Sequence, residues 1–548
     1  MTREQRQELL CLVASSGDVE NLKVALAAAD LVPTTFGAGD TKYADAVLAA
    51  AARAGHLECC QLLLDASRLR PIQALGIMLQ AAASAGHLEL CEWCWEQRSD
   101  LQSHEHSTPA LESAARGGHM EICRSCLRRN PDLPVKDAVL AAAQGGQPAT
   151  MDWLLSRLSW ERVSRNDKPL LVKLLTAALK GCHLATVKGL YDRDGGPANH
   201  LSAFEWRRPF QATLRSRTAD WKAKAEWVLA RSGPTAGVDC YLAAAEGAAD
   251  PVPRFLWLRS VRIRPSPEKD YDSLRILAGR GNLAAVQWLL GPDGFAPPEG
   301  WAEHRSARMC ALKAAANGHT EVLQALMTAG LPLDPSLCAT EAIANGHLST
   351  LRWLHEAHGT AALGFIEDAA VAAARSGSME LMTWVEDQDM DLGRGWCDWD
   401  PEECDRVWSE AAASGCEAAL RLLDAWGVRR PDDGEPYVRA AHKGDLRTLK
   451  VLEDLCLSYG PPSRPPPPAG LHAILVGLRQ EPDRLPRGAG TFLRAAARAP
   501  LAAVQWLSSQ YCPQSYGLEL EPVWKVLQGA GGAHVDQRVM CWMQQQLK

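Results

Sequence analysis

The sequence lacks an excess of charge of either sign, a long apolar run and any catalytic signature, and each gap removes a class of function. Lysine and arginine number 58 against 65 aspartates and glutamates in 548 residues, a formal net charge of −7. So diffuse a balance gives no general attraction to nucleic acid or anionic lipid. No apolar stretch approaches the roughly 18 residues of a membrane-spanning helix. The opening MTREQRQELLCLVASSGD carries charges where a secretion signal has its apolar core. There is no Gly-x-x-x-x-Gly-Lys-Ser/Thr phosphate loop and no Gly-x-Ser-x-Gly nucleophile turn, and GAGGAH (529–534) is too short for a dinucleotide fingerprint. The cysteines, 17 in number, are odd in count and sit mostly within apolar helical phrases. That excludes a disulfide framework and predicts a reducing compartment, cytoplasmic or nuclear.

What the chain does have is one phrase written many times. AAARAGHLECCQLLLDA (51–67) returns as AAASAGHLELCEWCW (81–95), SAARGGHMEICRSCL (113–127), AAANGHTEVLQALM (314–327) and AIANGHLSTLRWLH (342–355). Its glycine falls at Gly17, Gly55, Gly86, Gly118, Gly146, Gly181, Gly247, Gly281, Gly318, Gly346, Gly377, Gly415 and Gly444. Most intervals lie between 28 and 38 residues, and the one of 66, from Gly181 to Gly247, holds a worn copy, DWKAKAEWVLA (220–230). Two more worn copies follow, RAAARAPLAAVQWLSS (494–509) and LQGAGGAHVDQRVMCWM (527–543). Such a period marks a stacked array rather than separate globular domains.

Each copy predicts two short helices. The first is alanine-rich, as in DAVLAAAARAG (45–55), and alanine both favours helix and permits close helix approach. Glycine ends it by adopting a left-handed conformation. In the second helix Leu57, Cys60, Leu63 and Leu64 recur with helical spacing and form one apolar stripe. Neither helix can bury its stripe alone, so neighbouring copies must supply the interior. Thr2 with Gln5 predicts a capping box at the first helix.

Ala-Ala-x-x-Gly-His-Leu-Glu followed by an apolar helix ending in Leu-Leu or Trp-Leu resembles the ankyrin repeat, in its divergent form with a terminal Trp-Leu. The resemblance implies an all-α, ankyrin-type helix-turn-helix solenoid. It covers nearly the whole chain: repeats over 1–191, a degenerate repeat with an insertion over 192–235, central repeats over 236–457 with an acidic loop at 386–408, a proline-rich interruption at 458–490 and degenerate repeats over 491–548. The Thr-Pro-Leu-His opening of the family is replaced by ADAVLAA, LGIMLQA, VKDAVLA and SLCATEA, with STPAL (107–111) the nearest approach. Irregular inter-repeat loops are therefore expected in place of regular hairpin fingers. TPR and HEAT arrays are rivals that predict longer helices. The family implies a non-catalytic scaffold or adaptor that grips protein partners with its loops and concave face. A structural subunit of a larger assembly is the alternative, and a zinc-binding sensor or enzyme using Cys91, Cys94, Cys123 and Cys126 is a third reading. No nucleic acid, membrane insertion or cofactor is expected, and the tiling leaves no room for a catalytic domain.

Several residues carry chemistry that competes with a packing role. Cys91, Cys94, Cys123 and Cys126 form two Cys-x-x-Cys pairs, the ligand set of a thiolate zinc site, but the same positions hold leucine or valine in other copies. His56, His87, His119, His183, His319 and His347 mark the helix–helix junction and are expected to hold its turn. His355 and His358 miss the zinc-protease spacing, and SHEHS (103–107) reads as an exposed loop. Trp93, Trp153, Trp227, Trp288, Trp353, Trp384 and Trp506 share one register of the second helix and are expected to pack on the adjacent repeat. In EDQDMDLGRGWCDWDPEECD (386–405), Asp387, Asp389, Asp391 and Asp398 mimic a calcium loop but lack its glycine, since Leu392 stands there. Trp396, Asp398, Trp399, Asp400, Glu402 and Glu403 are the candidate partner-binding residues, aromatic rings among acids being costly to expose. GPPSRPPPPAG (460–470) predicts an extended spacer. The basic stretch from Arg207 to Lys224, with Arg208, Arg215, Arg217 and Lys222, predicts a solvated face.

Overall fold

A computed structural model of the chain describes residues 1–29, 41–66, 71–97, 104–158, 168–192, 201–232, 239–265, 267–294, 305–331, 333–359, 366–391, 395–396, 399–431, 434–455, 499, 503–505, 507 and 537–546. Among the described residues no strand occurs, and helices come in fourteen consecutive pairs. They are α1 (Arg3–Ser16) with α2 (Val19–Ala29), α3 (Thr41–Ala54) with α4 (Leu57–Ala66), α5 (Pro71–Ala85) with α6 (Leu88–Gln97), α7 (His104–Gly117) with α8 (Met120–Arg129), and α9 (Val135–Gly145) with α10 (Pro148–Arg157). Next come α11 (Lys168–Gly181) with α12 (Leu184–Asp192), α13 (Arg207–Leu214) with α14 (Trp221–Ser232), α15 (Cys240–Gly247) with α16 (Val252–Ser260), α17 (Pro267–Gly279) with α18 (Leu283–Leu290), and α19 (Arg305–Ala316) with α20 (Thr320–Thr328). The last are α21 (Pro335–Ala344) with α22 (Leu348–His358), α23 (Ile366–Ser376) with α24 (Met379–Asp391), α25 (Pro401–Ser414) with α26 (Glu417–Ala425), and α27 (Glu435–His442) with α28 (Leu446–Asp454). A further helix, α29 (Gln537–Gln546), follows.

The odd-numbered helices form an unbroken row in which each packs on the next, from α1 on α3 to α25 on α27. Their runs of buried alanine, such as Ala81–Ala83, Ala141–Ala143 and Ala372–Ala374, make this close stacking sterically cheap. Each even helix packs on its own partner and buries one stripe, such as Ile122, Cys123, Cys126 and Leu127 in α8 or Val322, Leu323 and Leu326 in α20. A fully buried side chain of this size contributes about 1.5–3 kcal/mol. No pair contains enough of them to offset its own ordering entropy, so the interior is shared along the row. The worn copy behaves as a full pair: α13 packs between α11 and α15, and α14 packs on α13.

The glycines end the first helices as the sequence predicts. Eleven of the thirteen have positive φ, from +65° at Gly377 to +92° at Gly86; the exceptions, Gly181 and Gly247, flank the worn pair. At Gly55 (φ +83°) the turn closes by bonds from Gly55 N–H to the Ala52 carbonyl and from His56 N–H to the Ala51 carbonyl. At the chain's start, the Thr2 hydroxyl accepts from Gln5 N–H while the Gln5 side chain accepts from Thr2 N–H, the expected capping box. SHEHS does not form a loop: residues from His104 onward open α7. The proline-rich interruption and most of the two last worn copies lie outside the described residues.

One set of contacts joins distant parts of the sequence. The Arg6 guanidinium donates from Nη1 to the Gly415 carbonyl at 2.8 Å and forms an ion pair with Asp445, both side chains being buried. Arg447 donates to the Ala28 carbonyl at the end of α2, at 3.2 Å. The start of α1 thus lies against the turns that follow α23, α25 and α27.

Candidate interaction surface

The junction histidines are structural pins. The Nε2 atoms of His56, His87, His119 and His347 reach back to the carbonyls of Ser15, Arg53, Ser84 and Ala316, at 2.9–3.2 Å. Each is a carbonyl at the end of the preceding unit's first helix, where intrahelical partners run out. The imidazole lies directly over the preceding glycine: a Cβ on Gly17, Gly55, Gly86 or Gly318 would come within 2.6 Å of it. His319 lies over Gly281 in the same way, at 2.5 Å. Gln147 takes this place over Gly118, and Asn282 bonds the Ala249 carbonyl at 3.0 Å. His183 departs from the expectation. Its unit reads Gly181-Cys182-His183, one residue longer; the Cys182 thiol donates to the Ala143 carbonyl at 3.4 Å, and His183 is displaced outward, 3.6 Å from Asp220.

The four cysteines of the Cys-x-x-Cys pairs are wholly interior. Burial pushes the thiols of Cys94, Cys123 and Cys126 up to about 12 and raises that of Cys91 as well. A zinc ligand must be a thiolate, which is the form this environment opposes. Among the described residues no group of three or more His, Cys, Asp or Glu side chains is placed to hold a metal ion. Packing is what these cysteines do here: all four belong to the continuous apolar core.

Of the tryptophan row, Trp227 is buried, while Trp93, Trp153, Trp288, Trp353 and Trp384 are half-buried against the core. Arginines cover several rings from the solvent side: Arg157 over Trp153 at 4.6 Å and Arg231 over Trp227 at 4.1 Å. The side chain of Trp506 lies outside the described residues.

The acidic segment buries the two tryptophans that its sequence offers as partner anchors. The backbone of α24 runs through Asp391, so Asp387, Asp389 and Asp391 lie on a helix rather than in a calcium loop. Trp396 is fully buried, and Trp399 is 7% exposed. Their rings stack at 5.2 Å, and Trp396 meets Trp426 edge-on at 5.0 Å. The two tryptophans are core residues and not exposed anchors. Asp400 and Glu403 form the capping box of α25, with Asp400 accepting from the N–H groups of Glu402 and Glu403. Glu402 is exposed, and Asp398 lies outside the described residues. In the chain the acids crowd around the tryptophans, but Asp400 and Glu403 serve the α25 cap and Glu402 is exposed.

The basic stretch is likewise only partly a solvated face. Arg208, Arg217 and Lys222 are exposed, whereas Arg215 pairs with Glu246 and Lys224 is wholly buried. The Lys224 ammonium donates to the Leu179 carbonyl (3.1 Å), Ser216 Oγ (3.0 Å) and Thr218 Oγ1 (2.6 Å), with Asp220 at 3.5 Å. Burial lowers its pKa, and Asp220 works against that shift. This network replaces the Gly-His pin at the worn pair, and no sequence pattern announces it.

Two grooves lie on opposite sides of neighbouring pairs. Between α19 and α21, a cavity of about 390 Å³ is lined by Met309, Leu312 and Leu337, with Arg308 and Asp334 at its rim. Between α18 and α20, one of about 580 Å³ is lined by Leu283, Leu290 and Ala325 with Gln287, Glu321 and Gln324. Leu337, in the first groove, is 51% exposed. No helix among the described residues is long and apolar enough to cross a membrane. Neither a protein-family model nor a curated protein matches this chain.

Proposed function

We propose that the helix pairs are divergent ankyrin-type repeats and that the chain is a non-catalytic scaffold that binds protein partners along the array. Helices of no more than fifteen residues, left-handed glycines and imidazoles that reach back one unit support the ankyrin assignment over longer-helix arrays. The observation that carries the binding reading is the apolar groove at Met309, Leu312 and Leu337, open to solvent midway along the row. Its apolar floor and charged rim suit a short partner segment with one or two apolar anchors, since interface energy concentrates in a few such side chains. The test is Leu337→Arg. The side chain is half exposed, so helicity should hold, and affinity labelling with pulldown from the native cell should lose its principal partner by about tenfold or more. An unchanged partner set would remove this groove as the binding surface. Steady catalytic turnover of a small substrate by the purified chain would remove the scaffold reading itself.

A further inference from the structure

We propose that the first helix is an intramolecular clasp: the start of α1 closes the array on itself by occupying the places over Gly377 and Gly415 that histidine rings occupy elsewhere. Over Gly17, Gly55, Gly86, Gly281 and Gly318 the imidazole of the next unit fills the space above the glycine. The units after Gly377 and Gly415 have no such histidine; their junction residues are Cys416 and Asp445. Over Gly377 the nearest atom to an added Cβ is the Thr2 methyl, at 2.6 Å. Over Gly415 they are Asp445 Oδ2 at 2.5 Å and the Arg3 Cβ at 2.9 Å. At Gly377 the small Cys416 side chain leaves room that Thr2 fills; at Gly415 Asp445 takes the nearest place and Arg3 packs beside it.

The chemistry of the guest matches its seat. First helices end here with carbonyls exposed and the negative end of the helix dipole, a setting that favours cations. Arg6 supplies one, satisfying the Gly415 carbonyl and pairing with Asp445. Asp445 also accepts from Thr448 N–H and Oγ1, which holds its carboxylate facing Arg6. Behind this contact a cavity of about 610 Å³ is lined from one side by Thr2, Arg3 and Glu4 and from the other by Glu410, Arg439 and Lys443. The clasp concerns the array alone and does not rest on the scaffold reading. Its closed state determines whether a partner meets a ring or an open arc.

The test is carbodiimide coupling in the purified full-length chain at low concentration, with mapping of cross-linked peptides from the monomer band. A Glu4–Lys443 cross-link is expected in the wild type. Asp445→His installs the junction residue of five other units while removing the charge that Arg6 needs, so the cross-link should fall at least about tenfold with circular dichroism unchanged. Arg6→Gln attacks the pair from the other side and should do the same. A wild-type chain without the cross-link, a cross-link found only in dimers, or an equal yield in both folded variants would overturn the clasp.

Discussion

A glycine and the ring that lies on it are the smallest working part of this fold. Gly55→Ala forces a Cβ to within 2.6 Å of the His87 ring at a φ of +83°. The substitution should cost about 1–3 kcal/mol in urea denaturation. Adding His87→Ala relieves the clash, so the double variant should lose less than the sum of the singles, whereas strict additivity would deny that the two residues touch. The thiols give a second prediction at this scale. An unfolded cysteine ionises near about 8.5, and Cys94, Cys123 and Cys126 are held up to about 12 in the fold. Above pH 8.5 the unfolded chain therefore binds fewer protons than the native one. The stabilisation from these groups is full below that pH and is lost as pH rises toward 12, by up to about 1.4 kcal/mol per unit for each thiol. The urea midpoint should fall between pH 8.5 and 10.5, and in native chain at pH 8 these cysteines should resist maleimide for far longer than half-buried Cys11. Rapid labelling of all four Cys-x-x-Cys thiols would contradict the packing.

Helices and turns were the part most legible from sequence, because glycine spacing and apolar periodicity are local. Each junction glycine from Gly17 to Gly146 ends a first helix where the repeat places it. The elements misread were those whose meaning depends on neighbours in space. Trp396 and Trp399 sit among acids in the chain, yet a cluster with Trp426 buries them. Deleting residues 386–405 removes those rings, the end of α24 and the cap of α25 together. Helical content should fall beyond the deleted residues themselves, and an unchanged melting profile would refute the cluster. The single change Trp396→Ala should cost about 3–5 kcal/mol locally. Lys224 was equally hidden, its buried acceptors being set by the fold and not by a motif. Lys224→Met should destabilise the α13–α14 pair by about 2–4 kcal/mol, read as faster amide exchange there. Unaltered exchange would show the ammonium to be dispensable.

At the scale of the whole molecule the array was legible and its closure was not. Thirteen glycines gave the repeats in advance, and the fourteenth pair, α13 with α14, fills the one long interval. The ion pair between Arg6 and Asp445 joins residues that look like ordinary charges on separate helices. Gly444-Asp445 stands where five other units have Gly-His, but Gly17-Asp18 has the same form, so the dipeptide gains meaning only once α1 is seen beside it. The claim beneath all of this is that each pair draws its interior from the pairs on either side. The most direct test is residue-resolved hydrogen exchange on Leu323→Ala, which empties a fully buried site in α20. Nearest-neighbour stacking predicts faster exchange in α17–α22 with α5–α8 unchanged; an equal rise across the whole chain would mean one global core and would contradict it.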